Sequence, residues 1–153
     1  MKQFKFSLES LIELRLREER EALHKLGIEL EKQVKARKQW ELAVEATGSC
    51  RLKILSVING GRISAGSLHN HKAFLQDLER VEESATCDYE AAKDSVKQCK
   101  EEYYRKKAET DILVKLREKS YADHMLRLEK IEAMETDDFV LARHSRSQLP
   151  LAG

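Results

Sequence analysis

One short stretch of this chain, residues 59–64, is the feature that most limits its fold. It reads Asn-Gly-Gly-Arg-Ile-Ser and separates two long segments that are rich in helix-forming residues. Asn-Gly and Gly-Gly pairs are strong turn signals, and the single proline, Pro150, lies close to the C-terminal end. The sequence therefore predicts an all-α fold in which two helices form an antiparallel coiled-coil hairpin.

Composition supports long, solvated helices. Ala, Glu, Lys, Leu and Arg make up more than half of the 153 residues, a proportion typical of coiled coils. The 28 basic and 27 acidic residues nearly cancel, so no uniform field favours nucleic acid or an anionic membrane as a partner. No apolar run approaches the ~18 residues of a membrane span, and the N-terminus lacks the apolar stretch of a signal peptide. We expect a soluble, cytoplasmic protein.

Two serines mark the predicted helix starts. Ser7 and Ser64 are both suited to capping a helix N-terminus. Each follows an apolar residue and precedes a leucine four positions further on, the spacing of a hydrophobic staple. The predicted elements of a single domain are a helix over 8–58, a turn over 59–64, a second helix over 65–142 and a flexible tail over 143–153.

Heptad spacing predicts the seam, the line of side chains along which the two helices face each other. In the first helix one seam row is Ile12, Glu19, Leu26, Gln33, Trp40, Thr47 and Ile54, and the other is Leu16, Leu23, Leu30, Arg37, Val44, Arg51 and Ile58. In the second helix the seam is Leu68, His71, Leu75, Leu78, Glu82, Ala85, Tyr89, Ala92, Val96, Cys99, Tyr103, Lys106, Thr110 and Leu113. Beyond Leu113 this register meets polar residues. An apolar stripe then resumes in another phase with Val114, Tyr121, Met125 and Leu128, which indicates a local shift of the heptad.

The second helix is longer than the first and is expected to overhang it. If the two helices pair from the turn outward, the N-terminal end of the first helix lies opposite a residue near 115. The rest of the second helix then has no long partner within the molecule. This overhang carries many apolar side chains, and an exposed apolar surface of this kind usually marks a binding site. Phe4 and Phe6 are available to cover part of it.

No motif for chemistry emerges from the sequence. His69 and His71 are two residues apart, so on a helix they point to different sides and cannot share a metal ion. Residues 60–62 read Gly-Gly-Arg and lack the Gly-Lys-Ser/Thr ending of a phosphate-binding loop. The three cysteines show no C-x-x-C spacing, which favours reduced thiols over zinc or disulfides. We therefore expect no enzyme, no cofactor and no metal site.

Three local patterns resemble those of the flagellar export protein FliJ family. Residues 4–11 read Phe-Lys-Phe-Ser-Leu-Glu-Ser-Leu and are followed by Arg15, similar to the aromatic start of that family. Ile-Ser-Ala at 63–65, with Phe-Leu at 74–75 and Leu-Glu at 78–79, resembles the segment after its turn. Asp-Asp-Phe at 137–139, with Ala-Arg at 142–143, is similar to its acidic closing motif.

This resemblance implies a non-enzymatic stalk of the flagellar type III export apparatus. Its implied partners are a hexameric export ATPase, a membrane export gate protein and export chaperones, and its implied place is the cytoplasm, peripherally associated with the inner membrane at the flagellar base. The alternatives are the stalk of a virulence-type injectisome and a purely structural homodimeric coiled coil. The glycine pair favours a hairpin that is monomeric in isolation, because a continuous parallel dimer gains nothing from it.

Two partner-binding surfaces are predicted. The ATPase-facing end combines basic residues of the first helix with apolar residues of the overhang, namely Arg15, Arg17, Arg20, Met125, Leu128 and Ile131. The gate-facing surface lies around the turn and consists of Trp40, Phe74, Leu78 and Val81. Aromatic side chains in such surfaces often dominate binding.

Overall fold

The computed structural model describes residues 3–148 and confirms the helical hairpin. Helix α1 spans Glu9–Asn59 and helix α2 spans Ala65–Ser147, and the two pack against each other. Helix α1 begins one residue later than predicted: the Ile12 N–H donates to the Leu8 carbonyl at 3.0 Å, which places Leu8 rather than Ser7 at the N-cap. Helix α2 runs past the predicted end at 142, so residues 143–147 are helical and not a flexible tail. Residues 149–153 of that tail lie outside the described part.

The turn between the helices depends on local backbone chemistry. Gly61 has a φ of 70°, a left-handed conformation that glycine adopts without a steric penalty. The Gly60 N–H donates to the Ser56 carbonyl at 3.1 Å and closes the last turn of α1. The Ser64 Oγ accepts a hydrogen bond from the Ser67 N–H at 3.1 Å, which confirms Ser64 as the cap of α2.

Replacing Gly61 with alanine should destabilise the hairpin by about 1–2 kcal/mol, because a Cβ disfavours the left-handed conformation. Gly60→Ala is the matched control. Its φ lies outside the left-handed range, and an added Cβ would meet the Ser56 carbonyl oxygen at 3.4 Å, an ordinary contact. Urea denaturation of both variants measures the difference. If both variants lost the same stability, the positive φ of Gly61 would not be the reason that the turn requires glycine at this position.

The contacts of the chain divide it into two compact units, which are described separately. The terminal unit comprises residues 1–17 and 107–153, and the central unit comprises residues 18–106. Each unit contains a part of both helices. The organisation as a single domain stays a prediction.

One of the two predicted seam rows of α1 is wrong by one residue. The row from Ile12 to Ile54 is buried or half-buried as predicted, but six of the seven residues in the other predicted row are exposed: Leu23, Leu30, Arg37, Val44, Arg51 and Ile58. The observed second row is Arg15, Ala22, Glu29, Ala36, Ala43, Cys50 and Val57, all buried or half-buried. Small residues in this row leave room for large ones such as Trp40 and Tyr89, whose rings stack at 5.5 Å. Pairing large with small residues fills a seam more tightly than leucine in both rows.

The seam of α2 is confirmed from His71 to Leu113, while Leu68 at its start is exposed. The predicted register shift does not occur directly after Leu113, because Arg117, Ser120 and His124, which continue the original register, are half-buried. Beyond His124 the register does move by one residue: Arg127 is exposed and Leu128, of the predicted shifted stripe, is half-buried. Polar residues are tolerated before that point because they have partners across the seam: Arg117 Nη1 donates to Glu9 Oε1 at 2.9 Å, and the His124 ring packs against Phe4.

Candidate functional site

In the terminal unit, ion pairs and aromatic contacts hold the start of the chain against α2. Arg15 Nη1 lies 3.1 Å from Glu109 Oε2, an oxygen that is buried from solvent. Before α1 begins, Phe4 packs edge-on against Tyr121 at 5.3 Å between ring centroids and against His124 at 5.4 Å. Phe4 therefore covers part of the α2 surface, as the sequence suggested, and we call residues 3–6 the N-terminal strap.

Beyond the strap, α2 is exposed. Every described residue from Glu129 onward is exposed, which agrees with the predicted overhang. Met125 is 39% exposed and Ile131 is 50% exposed, while Leu128 is half-buried. Their spacing of three residues places them on one side of the helix. This line of side chains is an open apolar surface that a partner could cover.

The predicted arginines do not all join that apolar surface. Arg15 belongs to the seam, and its charge is engaged by Glu109. Glu109 lies about 24 Å along α2 from Met125, at 1.5 Å per residue, so the Arg15 guanidinium is not beside the apolar line. Arg17 is exposed in the terminal unit. Arg20 is exposed but belongs to the central unit.

In the central unit the predicted gate-facing residues separate into two kinds. Trp40 is half-buried and stacked on Tyr89, and Leu78 is half-buried in the α2 seam. Phe74 and Val81 are 58% and 57% exposed. Phe74 and Leu78 border a groove between the helices whose other lining residues are Ala46, Ser49, Cys50, Lys53 and His71. The exposed pair is therefore available to a partner, while the other two hold the helices together.

Ion pairs between residues of the same helix lie on the surface of the central unit. The side-chain hydrogen bond to Glu29 raises the pKa of Lys32, and the corresponding bond to Glu90 raises the pKa of Lys93. Lys93 Nζ also lies 4.3 Å from the centroid of the Tyr89 ring. These lysines are stabilised in their charged form, which suits surface ion pairing and not a role as a general base.

The described residues carry no arrangement typical of metal or membrane sites. Within residues 3–148, no group of three or more His, Cys, Asp or Glu side chains could hold a metal ion. The three cysteines are free thiols: Cys50 is buried, Cys99 half-buried and Cys87 exposed. Neither of the helices, as far as they are described, is long and apolar enough to cross a membrane.

Sequence reasoning missed the cross-seam pairs that hold these surfaces in place. Lys106 Nζ donates to Glu18 Oε2 at 3.1 Å within the central unit. Arg117 and Glu9 form the corresponding bond in the terminal unit. A signal was present in the sequence, because each pair joins opposite charges at nearly equal distances from the turn. Heptad counting obscured this signal, because it treats polar residues at seam positions as interruptions of the seam.

Comparison with known proteins identifies the family. A family model described as "Flagellar FliJ protein" matches residues 4–149. No curated protein and no solved structure matches the chain. The family match covers nearly the whole chain, including both helices and the turn. This protein therefore belongs to the flagellar FliJ family, whose members have a structural or adaptor role in flagellar type III export.

Proposed function

We propose that this protein is a non-enzymatic stalk that couples the hexameric flagellar export ATPase to the membrane export gate and handles export chaperones. On this proposal it acts as a monomer in the cytoplasm and associates peripherally with the inner membrane at the flagellar base. Family membership supports the export role. The observation that carries the coupling role is the open apolar line of Met125, Leu128 and Ile131, because an unpartnered surface of this kind favours a binding partner.

Copurification and ATPase assays test the proposal. The full chain, carrying an affinity tag, should retain a hexameric ATPase from a cytoplasmic extract and stimulate ATP hydrolysis by the isolated ATPase. Light scattering of the free chain should give the monomer mass, near 17.7 kDa. A chain that neither retains nor stimulates the ATPase would contradict the coupling role.

The gate-facing surface is proposed to consist of Phe74 and Val81, with Trp40 and Leu78 supporting them from the seam. Large apolar side chains that are more than half exposed are suited to be anchors at an interface. The neighbouring groove offers space for a partner side chain beside Phe74. This assignment separates the residues that bind from the residues that hold the helices in position.

Phe74→Ala should weaken binding to the gate protein by about 2 kcal/mol or more, as truncation of an interface anchor does. Its melting temperature should stay near that of the wild type, because most of the ring is already in water. Leu78→Ala is the control within the same groove, and it should lower the melting temperature because Leu78 packs in the seam. Pull-down with the soluble part of the gate and thermal denaturation give both readouts. A melting temperature that falls together with binding in Phe74→Ala would make Phe74 a packing residue.

A further inference from the structure

The N-terminal strap covers one end of a surface of α2 that is otherwise open. That open surface is the apolar line, which consists of Met125, Leu128 and Ile131. Phe4 packs edge-on against Tyr121 at 5.3 Å between ring centroids and against His124 at 5.4 Å. Tyr121 and His124 lie one helical turn before the first two residues of the line, so they face the same side of α2.

Release of the strap would lengthen the apolar line by one turn. Tyr121 is 50% exposed even with Phe4 against it. Together with Met125 and Leu128 it has the spacing of four and then three residues that forms one continuous face of a helix. The docked Phe4 ring therefore withholds the aromatic end of this face from a partner.

Side-chain contacts hold the strap in its docked position. Residues 3–6 are not helical, and the Phe6 carbonyl accepts a hydrogen bond at 3.3 Å from the Glu9 N–H, which belongs to the start of α1. Among the described residues, no backbone group of the strap forms a hydrogen bond with α2. The docked position therefore depends on packing, above all on the packing of the Phe4 ring.

The start of α1 has an unused cap while the strap is docked. Ser7 has the sequence signals of an N-cap, because Phe6 and Leu11 have the spacing of a hydrophobic staple around it. In the structure the Leu8 carbonyl accepts the first helical bond, from the Ile12 N–H, although leucine is among the least favoured N-cap residues. Ser7 is exposed, and its Oγ accepts no hydrogen bond from a described N–H. A second and better capped helix start is thus available to the chain.

We propose that the strap is an autoinhibitory contact with two states. In the docked state Phe4 lies against the two α2 rings, and Leu8 is the N-cap of α1. In the released state α1 begins one residue earlier and Ser7 caps it. The strap then points away from α2, because each residue added to a helix turns the entry of the chain by about 100°. A partner that covers the whole lengthened face selects the released state.

The functional consequence rests on the proposed coupling role, in which the ATPase covers the apolar line. Docked molecules cannot offer the full face, so the docked fraction lowers the apparent affinity of the chain for the ATPase. The exchange between the two states requires no partner. It can therefore be measured on the free chain, separately from the coupling role.

Fluorine NMR of the full chain tests the exchange. Para-fluorophenylalanine replaces Phe4, and a reference chain carries it in place of Phe139, which is 69% exposed. The label at position 4 should differ in chemical shift from the reference, because it packs against two rings, and Tyr121→Ala should move it towards the reference. On warming, the label should reach the reference shift before helix content falls.

Ser7 variants separate the proposed cap from a passive surface serine. Ser7→Ala should raise the temperature at which the label is released, because it removes the cap of the released state alone. Ser7→Asp is the conservative control and should keep the wild-type temperature, since aspartate is an equally good N-cap. An unchanged temperature in Ser7→Ala, or a label at position 4 that matches the reference before warming, would overturn the proposal.

Stimulation of the isolated ATPase tests the autoinhibitory consequence. Phe4→Ala should lower the chain concentration that gives half-maximal stimulation by roughly threefold or more, because apparent affinity scales with the competent fraction. Phe139→Ala is the matched control: it removes the same ring from an exposed position in the terminal unit and should not lower that concentration. Equal or weaker binding by Phe4→Ala would overturn the autoinhibitory role. A wild-type chain that gives no stimulation would instead contradict the coupling role, while the exchange is judged by NMR.

Discussion

Leu26→Ala is expected to destabilise the hairpin by about 2–4 kcal/mol, the range typical of removing a buried leucine side chain. Leu26 is 8% exposed and lies in the confirmed seam row of α1. Its replacement removes apolar contacts and leaves a cavity between the helices. Urea denaturation followed by circular dichroism measures the loss, because helix content and hairpin integrity disappear together.

Leu23→Ala is the matched control, since it removes the same atoms less than one turn away. Leu23 is 51% exposed, so its replacement should cost less than about 1 kcal/mol. The pair distinguishes the observed seam from the row predicted by heptad counting, in which both leucines belong to the core. A large loss for Leu23→Ala would restore the row predicted by heptad counting.

The second large effect is expected in the overhang. Replacing Met125, Leu128 and Ile131 together with aspartate should lower stimulation of the export ATPase by at least roughly tenfold, because an interface cannot desolvate three unpaired carboxylates. Helicity should remain near that of the wild type, since Met125 and Ile131 are 39% and 50% exposed and only Leu128 is half-buried. Stimulated ATP hydrolysis and far-ultraviolet circular dichroism give the two readouts.

The control variant places three aspartates on another face of α2. Ile112, Leu126 and Val140 share one heptad position and are each more than half exposed. Their replacement changes the charge and the apolar content by a similar amount but leaves the proposed surface intact, so stimulation should persist. If both triple variants lose stimulation equally, general charge and not a specific surface determines the interaction.

The sequence predicted the hairpin well because its strongest signals are local. The Gly-Gly turn depends on the backbone conformation of Gly61, and the α2 start depends on the cap supplied by Ser64. Both are decided by a few neighbouring residues, so both could be found without the rest of the fold. The end of α2 was harder to place, because helix formers continue past 142 without a strong stop signal.

The second seam row could not be predicted from α1 alone. Residues three and four positions after a seam residue both border the seam, so Ala22 and Leu23 compete for the same role relative to Glu19. Hydrophobicity favours Leu23, but the side of α1 on which α2 packs decides which of the two residues is buried. That side is determined by α2, the partner helix. The proposed surfaces share this limit, because a partner outside the chain determines whether an exposed apolar side chain is functional.

The cross-seam ion pairs imply an order of opening along the hairpin. Arg51 and Glu79, near the turn, are separated by 28 residues of chain, whereas Glu9 and Arg117, in the terminal unit, are separated by 108. Closing a longer loop costs more conformational entropy. Backbone amides near the termini should therefore exchange with solvent through local opening, at a lower free energy than amides beside the turn. The N-terminal strap and the adjoining surface of α2 lie in the part of the molecule that can loosen without unfolding the rest, which would let a partner displace Phe4 at small cost.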